Sequence, residues 1–268
     1  MSAGEPFSCA TFQAEAARRQ LAWGHDARCS ASTGSTNDDA LAAAKSGARS
    51  GTLIVADHQS QGRGRSGYAW QSPPGDNLLF SLLLRPESRE WPGAALTLSV
   101  GLAVRAALAP YSGEPLLVKW PNDVLAGRRK LAGILCEGQV GASGALEALV
   151  IGVGVNVHTT RFEGELATIA TSLALTRAGS VTAPRRELLL VELLLALQHY
   201  VGACLERGFA ELAPEFAEHD ALLGRRLVVS GARSLSGIAR GVDKEGQLLL
   251  ETGDGIERIA SGTVRISD

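Results

Sequence analysis

The sequence lacks the residue clusters on which several kinds of chemistry depend. Its four cysteines, Cys9, Cys29, Cys136 and Cys204, lie far apart with no C-x-x-C pair, and its five histidines do not cluster. That pattern reads as neither a disulfide framework nor a zinc site, and it fits a reducing, cytoplasmic compartment best. There is no G-x-S-x-G elbow and no Walker A loop, which removes the hydrolase triad and the P-loop as frameworks for catalysis. The formal net charge is −2 and there are three tyrosines. Without a basic field or interleaved aromatics, a Gly/Arg-loop nucleic-acid module is the weaker reading and no DNA partner is expected. The start, Met1-Ser2-Ala3-Gly4-Glu5-Pro6, has no basic region leading into an apolar core, so no signal peptide is expected. No uncharged apolar run approaches the ~20 residues that span a bilayer, so no membrane partner is expected either.

What is present is an ordinary globular composition, 45% hydrophobic and 20% charged over 268 residues, enough for one large domain or one large and one small. Residues 11–22 read as a short helix. Thr36, as an N-cap with Asp39 three residues on, opens a second helix that stops at Gly47. Residues 52–56, 77–84 and 116–120 read as buried strands, with 92–109 as an apolar helix between the last two. A hairpin joins 124–125 to 130–137, and a strand broken by Gly152 and Gly154 follows at 148–157. It lacks the third glycine and the helix of a dinucleotide fingerprint. A wide apolar face marks 185–206 as a long core helix. From His219-Asp220 the texture changes to four short strands at 226–229, 235–242, 247–251 and 256–259. The reading is therefore α/β (α+β): residues 1–219 as a mixed sheet with helices mainly on one side, and 220–268 as a small β-barrel. No recognition-helix pattern precedes the main domain, so an N-terminal helix-turn-helix is not expected.

The chain is centred on Gln59-Ser60-Gln61-Gly62-Arg63-Gly64-Arg65-Ser66-Gly67-Tyr68-Ala69-Trp70, directly after the strand 52–56. Three glycines alternate with two arginines, a composition able to fold over an anion and put guanidinium forks on it. Further polar or basic groups stand at the ends of apolar strands: Lys119, Asn122, Asp123, Lys130 and Asn156. His58 reads as structural. Asp123 has no acidic partner for paired-carboxylate hydrolysis, which leaves cation-rich chemistry on phosphates, with Asp123 able to hold Mg²⁺ through water.

In order and spacing, Ser35-Thr36-Asn37, Gln59-x-x-Gly62-Arg63-Gly64-Arg65 with Trp70, Lys119-Trp120-Pro121-Asn122-Asp123, Lys130-Leu131-Ala132-Gly133-Ile134 and Gly152-x-Gly154-x-Asn156 resemble the biotin–protein ligase family, in the form without the DNA-binding domain of its bifunctional members. The resemblance implies a class II synthetase-like catalytic domain followed by an SH3-like barrel, with ATP, Mg²⁺ accompanying it, and biotin as ligands. A biotin carboxyl carrier domain would be the protein partner, and a homodimer is one possible assembly. Biotin would form biotinyl-5′-AMP, and the acyl group would pass to a carrier lysine.

By position, the resemblance assigns biotin to Ser35, Thr36, Asn37, Gln59, Gly62, Arg63, Gly64, Arg65, Lys130 and Gly133. It assigns the nucleotide to Arg63, Arg65, Trp70, Asn122, Lys130 and Asn156. Lys130, Arg65 and Asp123 are the catalytic candidates, and no resident metal site is expected. Two departures stand out: Tyr68 where many members have arginine, and Gln61 where a small residue is common. Lipoate or octanoate ligation, on a similar fold, is the nearest alternative. A carrier-docking protein with a dead site fits poorly, because Lys130 and both loop arginines are intact. The loop glycines predict a segment that is mobile when empty and orders over its ligand.

Overall fold

The computed structural model describes residues 5–87, 91–177, 184–231 and 233–267; Met1 to Gly4, part of the segment read as no signal peptide, lie outside them. Seven strands make the main sheet: β1 (Ala27–Ser30), β2 (Thr52–Ala56), β3 (Leu78–Leu84), β4 (Leu116–Lys119), β5 (Asp123–Ala126), β6 (Arg129–Val140) and β7 (Leu146–Val155). Their order is β1-β2-β3-β7-β6-β5-β4. Only β1 and β2 run parallel; the other pairs are antiparallel. Every residue of β2 and β3 is buried, as their unbroken apolar runs require when both faces of a sheet are covered.

Three helices cover one face: α1 (Cys9–Arg18), α3 (Gly93–Leu108) and α6 (Arg186–Arg207). Their Phe12, Leu96, Val100, Leu190 and Leu194 share one core with Leu53, Phe80 and Leu82 of the sheet. Helix α2 (Thr36–Lys45) lies on the opposite face, where Ala40 and Ala44 pack on Ile54, Leu83 and Val150. The helices are thus mainly on one side, as read from the sequence. Two are long and apolar enough to cross a bilayer, over Gly93–Tyr111 and Arg186–Arg207. Much of their apolar surface packs in the shared core. The short helices α4 (Leu166–Ile169) and α5 (Leu173–Thr176) precede α6, and α7 (Ala213–Glu218) follows it.

Two local readings need correction. Cys9 and Cys29 form a disulfide, with Cα atoms 6.0 Å apart. Spacing along the chain could not show it, because α1 folds back beside β1 and brings together cysteines 20 residues apart. The N-cap of α2 is Ser35, not Thr36, and its side chain makes no capping hydrogen bond. The Thr36 amide is instead satisfied by Gln59 Oε1 at 2.7 Å. A residue from the Gly/Arg segment therefore caps the helix in place of a local side chain.

A second, antiparallel sheet has the order β11-β10-β9-β8-β12, from β8 (Arg226–Ser230), β9 (Ser234–Val242), β10 (Leu248–Thr252), β11 (Gly255–Ile259) and β12 (Thr263–Ile266). It is consistent with an SH3-like barrel. The fifth strand, β12, was missing from the sequence reading; only Val264 of it is buried, so it shows no apolar pattern. The segment entering this sheet pairs with the edge strand β4, the Val118 amide donating to His219 O at 2.8 Å and the Ala221 amide to Val118 O at 3.0 Å.

Asp220 sits at that seam. Burial raises its carboxyl to about 6, against the lowering effect of backbone N–H groups at Leu222 and Leu223. A carboxyl held above its unfolded value binds its proton more tightly in the folded protein. Its stabilising contribution is therefore complete below the unfolded value of 3.8 and is lost as pH rises through about 6. Asp220→Asn keeps an oxygen for the Leu222 amide, now 2.8 Å away, and should make the fall in unfolding free energy between about pH 4 and 7 shallower. Denaturant titrations at several pH values check this; equal slopes in both proteins would rule Asp220 out as the source.

Candidate active site

The site begins with absent side chains. On the paired strands β6 and β7, Gly133 lies directly opposite Gly154, and Gly152 opposite Leu135. A Cβ at Gly133 would come within 2.8 Å of the Trp70 ring, and one at Gly154 within 2.6 Å of it. A Cβ at Gly152 would overlap the Asn37 amide. Trp70 and Asn37 thus lie on a floor that only glycine leaves open.

Asn37 is held at every polar atom. Its Nδ2 donates to Leu135 O at 3.1 Å and to Glu137 Oε2 at 2.6 Å, and its Oδ1 accepts from Ser81 Oγ at 2.6 Å. Thr36 Oγ1 donates to Gln59 Oε1 at 3.0 Å. Ser35, Thr36 and Asn37 are all buried, so this end of the site is an uncharged array of donors and acceptors on rigid elements.

The Gly/Arg segment folds back on itself as a small hairpin. The Trp70 amide donates to Gly62 O at 2.9 Å, and the Gly64 amide to Tyr68 O at 2.7 Å. Neither Gly62 nor Gly64 has a positive φ; Gly67 does, at +79°. Gly62 is needed because a Cβ there would stand 2.5 Å from the Trp70 carbonyl oxygen. The root of the segment is fixed on both sides. Asp57 O accepts from the Gly75 amide at 3.0 Å, and its carboxylate pairs with buried Arg186 at 2.7 Å. Asn77 donates to Ser72 Oγ at 3.0 Å and accepts from the Val157 amide at 2.9 Å.

The two arginines differ in what they face. Arg63 is bidentate on Glu137, at 2.8 and 2.7 Å, and also meets Asp38 at 2.7 Å. These partners, the Glu137 hydrogen bonds foremost, raise its pKa, and they neutralise it. The Arg65 side chain has no hydrogen bond or ion pair among the described residues. Desolvation draws its pKa below the ordinary arginine range, opposed by Cys136 and Asp123. It is a charged, partly buried guanidinium with free donors. Lys130 Nζ pairs with Asp123 Oδ1 at 2.6 Å and lies 5.6 Å from the centre of the Trp70 ring.

One cavity of about 200 Å³ collects these groups, room for a small molecule rather than a polymer. Of the residues singled out in the sequence, Ser35, Thr36, Asn37, Gln59, Arg63, Gly64, Arg65, Trp70, Lys119, Asn122, Asp123, Lys130 and Gly133 line it. Gly62 and Asn156 do not. Asn156 is buried and donates to Thr171 O at 2.9 Å, bracing the strands behind Lys130. His58 faces Ser32 at 3.2 Å. Lys119, Asp123 and Lys130 also line an adjoining depression with Arg128 and Arg225, so the Lys130–Asp123 pair stands where two hollows meet. Among the described residues no group of three His, Cys, Asp or Glu could hold a metal.

Sequence reasoning missed Glu137, Asp38 and Ser81, which hold Arg63 and Asn37. It also missed Gly262, Thr263 and Val264 of the second sheet, which form part of the cavity wall. For Glu137 the one signal was an acid at the end of an apolar strand.

Comparison with known proteins gives a consistent picture. Residues 29–156 match the model of the biotin/lipoate A/B protein ligase family, and residues 223–266 that of the biotin protein ligase C-terminal domain. The chain is 36% identical over 243 residues to the biotin–[acetyl-CoA-carboxylase] ligase of Mycobacterium tuberculosis, covering 87% of this chain and 86% of that one. It is 33% identical over 238 residues to the bifunctional ligase/repressor BirA of Bacillus subtilis, covering 87% of this chain and 71% of the relative. The fold superposes on the Aquifex aeolicus biotin protein ligase in complex with biotin and ATP with a TM-score of 0.77, at 28% identity, covering 91% of this chain and all of the other.

Glu137→Gln removes one charge from the Arg63 clamp, whose side chains are partly exposed. The loss of stability should be small, about 1 kcal/mol or less, while trypsin cleavage after Arg63 and Arg65 should become several-fold faster. Unchanged cleavage rates would show that the clamp does not hold the loop.

Proposed function

We infer, from a chain that belongs to the biotin protein ligase family and from a cavity neutral at one end and cationic at the other, that this protein is an ATP-dependent biotin–protein ligase. The observation that carries the reading is that single cavity. Ser35–Asn37 and Gln59 offer uncharged hydrogen-bonding partners for the biotin ring system. Arg65 and Lys130 offer cations for a carboxylate and a phosphate. The C-terminal match at 223–266 favours biotin over lipoate or octanoate.

In the first step a biotin carboxylate oxygen attacks the α-phosphorus of ATP. The bond to the β-phosphate oxygen breaks, leaving biotinyl-5′-AMP and pyrophosphate. Two anions must approach and a third must leave, so the chain's contribution is positive charge placed in advance. Arg65 is placed for this without rearrangement. Lys130 must exchange Asp123 for the incoming anion, after which it bridges carboxylate and α-phosphate. Each such charge-assisted contact is worth about 1.5–3 kcal/mol. Mg²⁺ comes with the nucleotide as part of the substrate.

In the second step a carrier lysine amine attacks the acyl carbon, and AMP leaves with the bonding pair while Lys130 stabilises its phosphate. Asp123, released from Lys130, orients the incoming amine. The acceptor is a biotin carboxyl carrier domain of a carboxylase, the substrate type named for the Mycobacterium tuberculosis relative.

Pyrophosphate exchange into ATP, measured with biotin, lipoate and octanoate in turn, tests the reading. Biotin alone should support exchange. Lys130→Ala should lower the rate by about a hundredfold or more with little change in the thermal midpoint. Exchange supported by lipoate or octanoate and not by biotin would overturn the assignment. Undiminished exchange in Lys130→Ala would remove that residue from the mechanism.

A further inference from the structure

Trp120 is itself part of the cavity wall, beside Lys119 and Asn122, and its indole ring also packs into a different part of the molecule. It is 1% exposed. It belongs to a core that joins Leu98 and Leu102 of α3 and Phe209 to Leu227, Leu248 and Val264 of the second sheet. Its one polar group is used there as well, since Nε1–H donates to Gly246 O at 3.1 Å, a buried contact across 126 positions of sequence.

Gly246 sits in the turn between β9 and β10 with φ at +74°, and a Cβ on it would fall 2.6 Å from the Ala95 backbone nitrogen. Only glycine lets the turn seat on the start of α3. Asp243 shapes the turn, its Oδ1 accepting from the Glu245 amide at 3.0 Å and the Gln247 amide at 2.8 Å. At another place the same sheet reaches the active site, where Gly262, Thr263 and Val264 wall the cavity. The sheet is thus held to the catalytic strands by the pairing of β4 with 219–221, by the shared core and by the Trp120 latch.

We propose that Trp120 is a positioning residue for ligand binding: its hydrogen bond to Gly246 registers the second sheet against the Lys119–Asp123 turn and so sets how tightly Gly262–Val264 close the cavity. The proposal rests on the ligase reading above. It predicts an effect on binding rather than on the chemical step, because the latch touches no group that carries charge in the reaction.

Trp120→Phe removes the N–H while keeping an aromatic ring, and leaves the Gly246 carbonyl buried without its donor. Asp243→Ala loosens the same turn from the far side and alters nothing in the cavity. Both should raise KM for biotin and ATP about tenfold, with kcat within about threefold of the unaltered chain. Asp243→Asn, which keeps the acceptor oxygen, should restore the original KM. In the ligand-free chain, hydrogen–deuterium exchange should speed up at 242–248 and at 262–266 together in Trp120→Phe and in Asp243→Ala, with 52–56 unchanged.

Faster exchange at 242–248 alone, with KM unmoved, would reduce the latch to a structural turn contact and overturn the proposal. Raised KM without faster exchange at 262–266 would overturn it too, since Trp120 would then act directly in the cavity. Failure of the ligase reading would look different: the unaltered chain would show no biotin-dependent pyrophosphate exchange, while the paired exchange behaviour of 242–248 and 262–266 would still report on the coupling.

Discussion

The site depends on a missing set of atoms. Gly133, Gly152 and Gly154 lie on two neighbouring strands in a fully hydrogen-bonded part of the sheet, where a side chain would ordinarily add packing and stability. Trp70 occupies the space over two of them and Asn37 the space over the third. A methyl group at any of the three would push one of those residues out. Trp70 then could not lie beside Lys130, and Asn37 could not reach both Leu135 O and Glu137. The loss of three side chains from the sheet is what lets a cavity open there.

The charges around that cavity are arranged in opposite ways. Arg63 is tied to two carboxylates, so it organises the loop and contributes little field to the cavity. Arg65 is desolvated without a carboxylate in ion-pair contact among the described residues. A charge in that position is costly until an anion arrives, so binding an anion there recovers free energy that the empty site does not have. Tyr68, at the position where arginine is common in the family, is exposed and supplies no replacement charge. The task of meeting anions falls to Arg65 and Lys130.

Much of this was legible in the sequence because the elements concerned announce themselves locally. Unbroken apolar runs marked β2 and β3, and the turn at Ala126-Gly127-Arg128-Arg129 marked the β5–β6 hairpin. Strand ends then placed Lys119, Asp123 and Lys130, and motif order brought them to one place. What could not be read involves partners distant along the chain or geometry without pattern. Glu137 meets Arg63 across 74 positions, Gln59 caps a helix that begins 23 residues earlier, and Cys9 finds Cys29 only through the fold of α1. The contacts that Gly62 and Asn156 make within the chain were not legible either. One permits a close backbone approach, and the other braces β6 from behind.

The Lys130–Asp123 pair links these observations. Lys130 is useful only if it can leave Asp123 for a substrate anion, and the cost of leaving depends on how firmly Asp123 is held. Asp123 opens β5 and pairs in register with Lys119 on β4 and Gly133 on β6. β4 is the last strand of the sheet, and its outer edge would be an unpaired ladder if His219–Ala221 did not cover it at Val118. The residue joining that strand to the Asn122–Asp123 turn is Trp120, anchored in the core it shares with the second sheet. The position of a reactive ion pair is therefore fixed from outside the catalytic sheet. A small C-terminal module that, among the described residues, supplies no charged side chain to the main cavity still bears on the site, by holding the edge strand β4, against which Asp123 of β5 pairs.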